Sequence, residues 1–409
     1  MLDLKYIREN PEKVKDGCQK RGIACDVSRV LELDEKKREL VGMIETLKAQ
    51  QNKLGKEDIE EARGIKVEIK KLEPQLEEVE EGLRSLLVLL PNMPQDDVPV
   101  GDESANVVLR QVGKVPKFDF EPKDHLNLGE ELNIIDVKRA AKLSGSRFGY
   151  LKREAALIEF ALVQLAFEIA VKEGFVPVVP PVLIKLKAMQ GMGYIDTPED
   201  LAERYYLEKD QLFLVGTAEQ AIGPLHQGEV FEENELPSRA VAFSTCFREE
   251  AGSYGKDTKG ILRVHQFDKV EFFSFTHKDK SKEEHQFLVS MQERLWQALE
   301  IPYQVVQLST GDMARPSSST IDIEAWLPGQ GKYREVSSAS NTTDFQARRL
   351  NIKFKGKNGE LQYVHMLNAT AFAIGRTLIA ILENYQQKDG SVKIPKVLTK
   401  YVGKKEIKK

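Results

Sequence analysis

Heptad-spaced apolar residues mark the first part of the chain. Leu33, Leu40, Leu47 and Leu54 recur every seventh position, with Ile44 between two of them. After a polar, Gly-containing break, Ile65, Ile69, Leu72, Leu76, Val79, Leu83, Leu86 and Leu90 follow in a 4-3-4-3 series. Two such runs predict an antiparallel coiled-coil hairpin over about residues 28–90. At 1.5 Å per residue each limb would be about 40 Å long. Pro74 falls inside the second limb, where a proline removes one backbone hydrogen bond at a cost of ~3 kcal/mol. The heptads continue through it, which predicts a kink and not an end. Residues 1–27 read as a helical lead-in, with Asn10-Pro11 as a start signal.

Further on the period drops to two. Val241, Phe243, Thr245 and Phe247 alternate as in a strand, and a glycine- and lysine-containing loop follows from Ala251 to Gly260. A second alternating run starts at Ile261. Leu262, Val264, Val270 and Phe272 occupy even positions, while Arg263, His265, Phe267, Lys269 and Glu271 share the odd ones and therefore one face. Between these regions, Pro91-Asn92-Met93-Pro94 with Pro99 and Gly101 ends the hairpin. The expected division is a unit of residues 1–103 carrying the arm and a second unit of residues 104–409. Arg153 to Glu173 reads as a buried helix, because Glu159, Gln164 and Glu168 interrupt its apolar run and exclude a membrane span.

Composition narrows the class. The 409 residues allow more than one domain, and 41% hydrophobic with 30% charged content fits a soluble globular protein. The net charge of -4 does not advertise a nucleic-acid binder, so such a role must come from local patches. One patch is in the arm: Lys48, Lys53, Lys56, Arg63, Lys66, Lys70 and Lys71 gather toward its turn, and Glu73, Glu77, Glu78, Glu80 and Glu81 toward its base. Charge runs of this kind also fit an ordinary solvated coiled coil. Cys18, Cys25 and Cys246 make neither a disulfide framework nor a four-ligand zinc pattern. With a charged N-terminus, MLDLKYIRENPEK, that lacks a secretory apolar core, they predict a cytoplasmic protein.

The odd face of the second strand is costly to bury unless each charge finds a counter-charge or a ligand. It fits a solvated outer sheet face, and it also fits a polyanion site in which arginines grip phosphates and Phe267 stacks on a base. Phe247-Arg248-Glu249-Glu250-Ala251-Gly252-Ser253 with Arg263-Val264-His265-Gln266-Phe267 closely resembles motif 2 of class II aminoacyl-tRNA synthetases, in the form found in seryl-tRNA synthetases. Other stretches follow that family's order. Gly174 to Pro181 resembles motif 1, which in the family builds the dimer interface. Thr217-Ala218-Glu219, after the short strand Leu212–Val215, resembles its Thr-x-Glu. Tyr333 to Asn341 resembles its segment for ATP and metal, and Asn368 to Arg376 resembles motif 3. The departure is Asn368-Ala369-Thr370-Ala371, where many members have Asn-Gly-Ser-Gly; Thr370 keeps the hydroxyl and adds a methyl.

The resemblance implies an α+β protein, an N-terminal antiparallel coiled-coil hairpin followed by a catalytic domain built on an antiparallel sheet flanked by helices. It implies ATP-dependent activation of L-serine and transfer to the 3′ end of serine tRNA, with Mg²⁺ as cofactor and a homodimer as the assembly. Selenocysteine tRNA is left open as a second acceptor. Residue by residue, Arg248 would hold the α-phosphate and the incoming carboxylate, Arg263 and Arg376 the outer phosphates, Phe267 the adenine ring and Glu250 the base. Arg248 and Arg376 would be the catalytic pair. Glu249, Val336 and Ser337 complete the ATP segment. Glu335 and Ser338 would hold the metal, as hard oxygen ligands suit Mg²⁺. Thr217, Ala218, Glu219, Glu271 and Thr370 would receive serine. Lys53, Lys56, Arg63 and Lys66 would meet tRNA. A site that bonds a hydroxyl rejects an analogue lacking it by about 10⁴-fold, so alanine needs no proofreading step.

Two other readings compete. A related ligase with a carrier-protein acceptor has no use for an arm that reaches RNA, and a coiled-coil scaffold has no use for the three motif arginines.

Overall fold

The computed structural model describes residues 1–55, 57–250 and 259–409; Lys56 and the loop residues Ala251, Gly252 and Ser253 lie outside the described residues. The chain separates into two compact units, Met1–Met93 and Pro94–Lys409.

The first unit is helical. Helix α1 (Leu4–Glu9) is followed by α2 (Pro11–Lys20), whose proline occupies the first turn, where its missing N–H costs nothing. Helix α3 (Val27–Gln51) starts at Asp26, whose carboxylate accepts from the Arg29 N–H at 2.9 Å. Helix α4 (Ile59–Leu89) returns antiparallel to it and runs through Pro74 without ending. Leu33, Leu40, Ile44, Ile69, Val79 and Leu83 are buried in the seam, with Leu47, Leu72, Leu76 and Leu86 half-buried beside them. Leu54 lies past the end of α3, in the connection. Lys53, Arg63 and Lys66 are exposed near the turn.

The second unit is built on an eight-stranded sheet: β1 (Val107–Val112), β2 (Val176–Val178), β3 (Ser238–Phe247), β4 (Gln266–Thr276), β5 (Tyr303–Gln307), β6 (Ser319–Leu327), β7 (Lys332–Asn341) and β8 (His365–Ala373). Their order is β1-β5-β6-β7-β8-β4-β3-β2. Every pairing is antiparallel except the edge pair β2–β3. Helices α5 (Glu154–Lys172), α7 (Ser281–Ala298) and α9 (Ile374–Asn384) cover one face; α6 (Leu186–Met192) and α8 (Phe345–Leu350) belong to smaller clusters. Ile158 and Leu162 from α5, Leu295 and Trp296 from α7 and Leu378 from α9 meet Val270, Phe272, Ile323 and Leu367 of the sheet in one core.

The second alternating run begins later than its sequence pattern. Strand β4 starts at Gln266, and residues 260–265 form turns and bends that carry Arg263 and His265 into position. From Phe267 onward alternation holds, so Val270 and Phe272 pack on the helices while Lys269 and Glu271 project from the opposite face. The register skips Ala371 of β8 between Val270 and Glu271, which sets Glu271 opposite Thr370, and it skips Val336 of β7 between Ile323 and Glu324.

Leu83→Ala tests the seam. Removing a buried leucine side chain should destabilise the N-terminal unit by about 2–5 kcal/mol, read by denaturant unfolding of the isolated arm signal in circular dichroism.

Candidate active site

Strands β4, β7 and β8, the start of α9 and the segments around Thr217, Arg248 and Arg263 bring most of the candidate residues together on the face of the sheet opposite α5, α7 and α9. At one end is a cavity of about 400 Å³ lined by Thr217, Glu219, Arg248, Lys269, Glu271, Ser338 and Thr370. Glu271 is buried at its floor and forms an ion pair with buried Lys269. Two hydroxyls converge on the same carboxylate: Thr217 Oγ1 donates to it at 3.3 Å and Thr370 Oγ1 at 3.4 Å. Lys269 Nζ also lies 3.5 Å from Thr370 Oγ1. Ringed by hydroxyls, an ammonium and a carboxylate, the pocket suits a small polar zwitterion.

The neighbouring cavity, about 210 Å³, is lined by Glu250, Arg263, Phe267, Val336, Ser337 and Arg376, together with Arg248, Lys269, Glu335 and Thr370, which it shares with the first. Arg248 stands at the junction. Its Nε donates to the Gly216 carbonyl at 3.1 Å, and its guanidinium lies 5.2 Å from the centroid of the Phe267 ring. His265 fixes its backbone by donating from Nδ1 to the Arg248 carbonyl at 2.9 Å. Arg263 donates to the Glu250 carboxylate at 2.9 Å. Arg376, in the first turn of α9, carries a cation where the helix dipole disfavours one. Glu335 offsets this. The arginine donates to its carbonyl at 2.9 Å and pairs with its carboxylate at 3.1 Å, and that charge holds the Glu335 carboxyl below its usual range.

Not every candidate contributes in the same way. Val336 is buried in the core and the Ser337 hydroxyl accepts from Trp296 Nε1 at 3.3 Å, so their side chains serve the packing although both border the second cavity. Ala218 is buried and Glu249 half-buried, and neither lines either cavity. Asp322 was not among the candidates. It stands opposite Ser338 across β6–β7, accepts from the Ser338 hydroxyl, and has a buried Oδ1 with no hydrogen-bond partner. Burial, then the charge of Glu335, pushes its carboxyl well above the usual range. Glu335, Ser338 and Asp322 thus offer hard oxygen donors near Arg376, the chemistry that suits Mg²⁺, which takes one or two carboxylates and completes its shell with other oxygens. Among the described residues no group of three or more His, Cys, Asp and Glu is gathered as a metal cage. Lys269 carried a signal in its place on the polar face of β4, whereas Asp322 became legible only through register.

Comparison with known proteins identifies the family. The model of the seryl-tRNA synthetase N-terminal domain matches residues 1–94, and that of the class II tRNA synthetase core domain (G, H, P, S and T) matches residues 205–385. A serine–tRNA ligase of Acidothermus cellulolyticus is 44% identical over 98% of each chain. The chain belongs to the seryl-tRNA synthetases. Two solved seryl-tRNA synthetases share the architecture over 100% of this chain and 99% of theirs. One from Pyrococcus horikoshii, complexed with ATP, is 41% identical with a TM-score of 0.93; one from Naegleria fowleri, in complex with AMP, is 34% identical with a TM-score of 0.89. The family assignment makes the chain an ATP-using ligase that forms aminoacyl-tRNA, with a mixed α/β, mostly antiparallel fold. Among the described residues no helix is long and apolar enough to cross a membrane.

For a seryl-tRNA synthetase the Lys269–Glu271 pair makes a definite prediction. Glu271→Ala strands a buried ammonium and should lower stability by about 3–5 kcal/mol, read by denaturant unfolding. Glu271→Gln keeps the shape and should raise the serine KM by at least tenfold while the ATP KM stays within about twofold. Parallel loss of both would place Glu271 in the nucleotide site.

Proposed function

We propose that the protein activates L-serine with ATP and transfers the seryl group to the 3′ end of serine tRNA, using the cleft around Arg248. The observation that carries this reading is that Arg248 borders both cavities, so one guanidinium reaches the place where an amino-acid carboxylate and an α-phosphate would meet. In the first step a serine carboxylate oxygen attacks the α-phosphorus, and the bond to the bridging oxygen breaks as pyrophosphate leaves. In the second a terminal ribose hydroxyl attacks the acyl carbon, loses its proton and displaces AMP. Neither step calls for a protein nucleophile.

The rate then comes from positioning and from neutralising charge on the phosphoryl group. Arg248 does this at the α-phosphate, Arg263 and Arg376 at the outer phosphates. Phe267 stacks on adenine and Glu250 contacts the base. Glu271, Thr217 and Thr370 read the serine hydroxyl, and Glu219 faces the α-ammonium group. Glu335 and Ser338, with Asp322 behind the serine, would hold Mg²⁺, which when bound neutralises phosphate oxygens.

The assembly we infer is a homodimer in the cytoplasm. Val176 and Val179, in and beyond β2 within the segment that resembles motif 1, are large apolar side chains left exposed, Val179 at 78%, as are Leu157 and Phe160 on the preceding helix α5. The N-terminal unit is read as the tRNA-binding domain, with exposed Lys53, Arg63 and Lys66 as phosphate contacts. The same reading admits selenocysteine tRNA as a second acceptor.

Amino-acid-dependent ATP–pyrophosphate exchange across all twenty amino acids tests the reaction. Serine should support exchange, and Arg248→Ala should cut it about a hundredfold or more in a folded protein. Exchange within a fewfold of the parent removes Arg248 from the site.

Shortening the arm to a tight loop tests its role. The seam is satisfied between α3 and α4, so exchange should persist while aminoacylation falls steeply. Alanine at Lys53, Arg63 and Lys66 should weaken tRNA binding less and flatten its salt dependence, as fewer counterions are released. Equal charging by armless and full-length protein would make the hairpin an assembly element.

A further inference from the structure

The bound amino acid's counter-charge, Glu219, is itself held by two residues that no motif contains. Helix α6 stops at Gly193, whose φ of 78° and ψ of 28° belong to the left-handed region that glycine enters without a Cβ penalty. The next residue is Tyr194, and its hydroxyl donates to Glu219 Oε2 at 2.6 Å. From α8, Gln346 donates through Nε2 to the other oxygen, Glu219 Oε1, at 3.1 Å. Gln346 is buried and its amide is oriented at both ends: Oε1 accepts from Thr342 Oγ1 at 3.0 Å, and Nε2 also donates to the Met192 carbonyl at 3.1 Å. Two elements far apart in sequence thus clamp one carboxylate, each by a different oxygen. A carboxylate has about four acceptor sites, so two donors leave capacity on both oxygens for a ligand.

Glu219 is 5% exposed, and a buried carboxylate is costly unless donors surround it. We propose that Tyr194 and Gln346 are positioning residues for substrate recognition, donating to both oxygens of Glu219 and orienting it as the partner of the amino acid's α-ammonium group. This rests on the serine-activation reading above and deepens it: the clamp selects substrates with a free α-ammonium and sets the acid limit of their use.

The surroundings define the sign. Burial raises the Glu219 carboxyl above its usual range, and Glu271 on β4 raises it further; Tyr194, Gln346 and Lys269 on β4 act against both. Arg204 and Arg248 face Tyr194, with the Arg204 guanidinium 5.5 Å from its ring centroid. Burial and the Glu219 charge push the Tyr194 phenol well above its usual range, so it remains a neutral donor. Removing a donor to the ionised form raises the pH at which Glu219 takes up a proton, and serine use is lost as pH falls through that point.

Tyr194→Phe keeps the ring and removes the donor. In ATP–pyrophosphate exchange by the full-length enzyme, the serine KM should rise roughly tenfold or more while the ATP KM stays within about twofold. The acid limb of kcat/KM for serine should move to higher pH. Gln346→Met should act in the same direction. Inhibition by glycerate, which lacks the ammonium group, should be unchanged by either substitution. A merely structural role would depress the serine and ATP parameters together and leave the acid limb in place; that result, or the parent's KM and pH profile in both variants, overturns the proposal, as does failure of both to fold. Absence of serine-dependent exchange in the parent enzyme instead defeats the functional reading, so the two failures are distinguishable.

Discussion

The buried ion pair of Lys269 and Glu271 is the constraint around which the catalytic unit is arranged. Two charges on one strand, two residues apart, must leave the core face that Val270 and Phe272 occupy, and the pleat sends them both to the opposite side. There they are covered and not solvated, which is unfavourable unless each finds partners. The partners come from three places: Thr217 after a short strand, Thr370 from the neighbouring strand β8, and Lys269 from the same strand. A pocket for a small polar ligand is the by-product of satisfying that carboxylate.

The nucleotide end follows a different electrostatic rule. Arg263 and Arg376 are cations that the fold pairs in advance with Glu250 and Glu335, which keeps them in place without a ligand. On the proposed reading, arriving phosphates would exchange one anionic partner for another, so the arginines would need little reordering. Arg248 differs. Its Nε is tied to a backbone carbonyl, and its guanidinium, stacked near Phe267, borders both cavities. That difference matches its assignment to the reacting phosphate, where a group must meet charge that develops only during reaction.

In the helical unit the demands are simpler. The heptad seam satisfies itself between α3 and α4, and a proline within a 31-residue helix is carried because its cost of ~3 kcal/mol is small beside the apolar surface buried along the rest of the seam. The surface of that arm is then open to variation in charge, which is where its lysines and arginines lie.

Short-range chemistry determined much of this protein from sequence alone. Heptad spacing located both arm helices and their outer ends, while the inner ends differed: Leu54 continues the pattern past the end of α3 at Gln51, and α4 already starts at Ile59, before the first heptad residue Ile65. Asn10-Pro11 marked the start of α2, and alternation placed Phe267, Lys269 and Glu271 on one face. The motif order identified the family. Alternation failed where the backbone turned: Arg263 and His265 continue the period-2 pattern but sit in bends before β4, because periodicity cannot distinguish a strand from a turn with the same polarity. What only the tertiary structure decided is which distant groups share a charge. Asp322 met Ser338 through strand register, Glu335 met Arg376 through the approach of β7 to α9, and Tyr194 and Gln346 converged on Glu219 from segments about 150 residues apart. Local propensity carries no information about such pairings. They arise when burial removes water from a polar group and the folded chain must supply the partner instead.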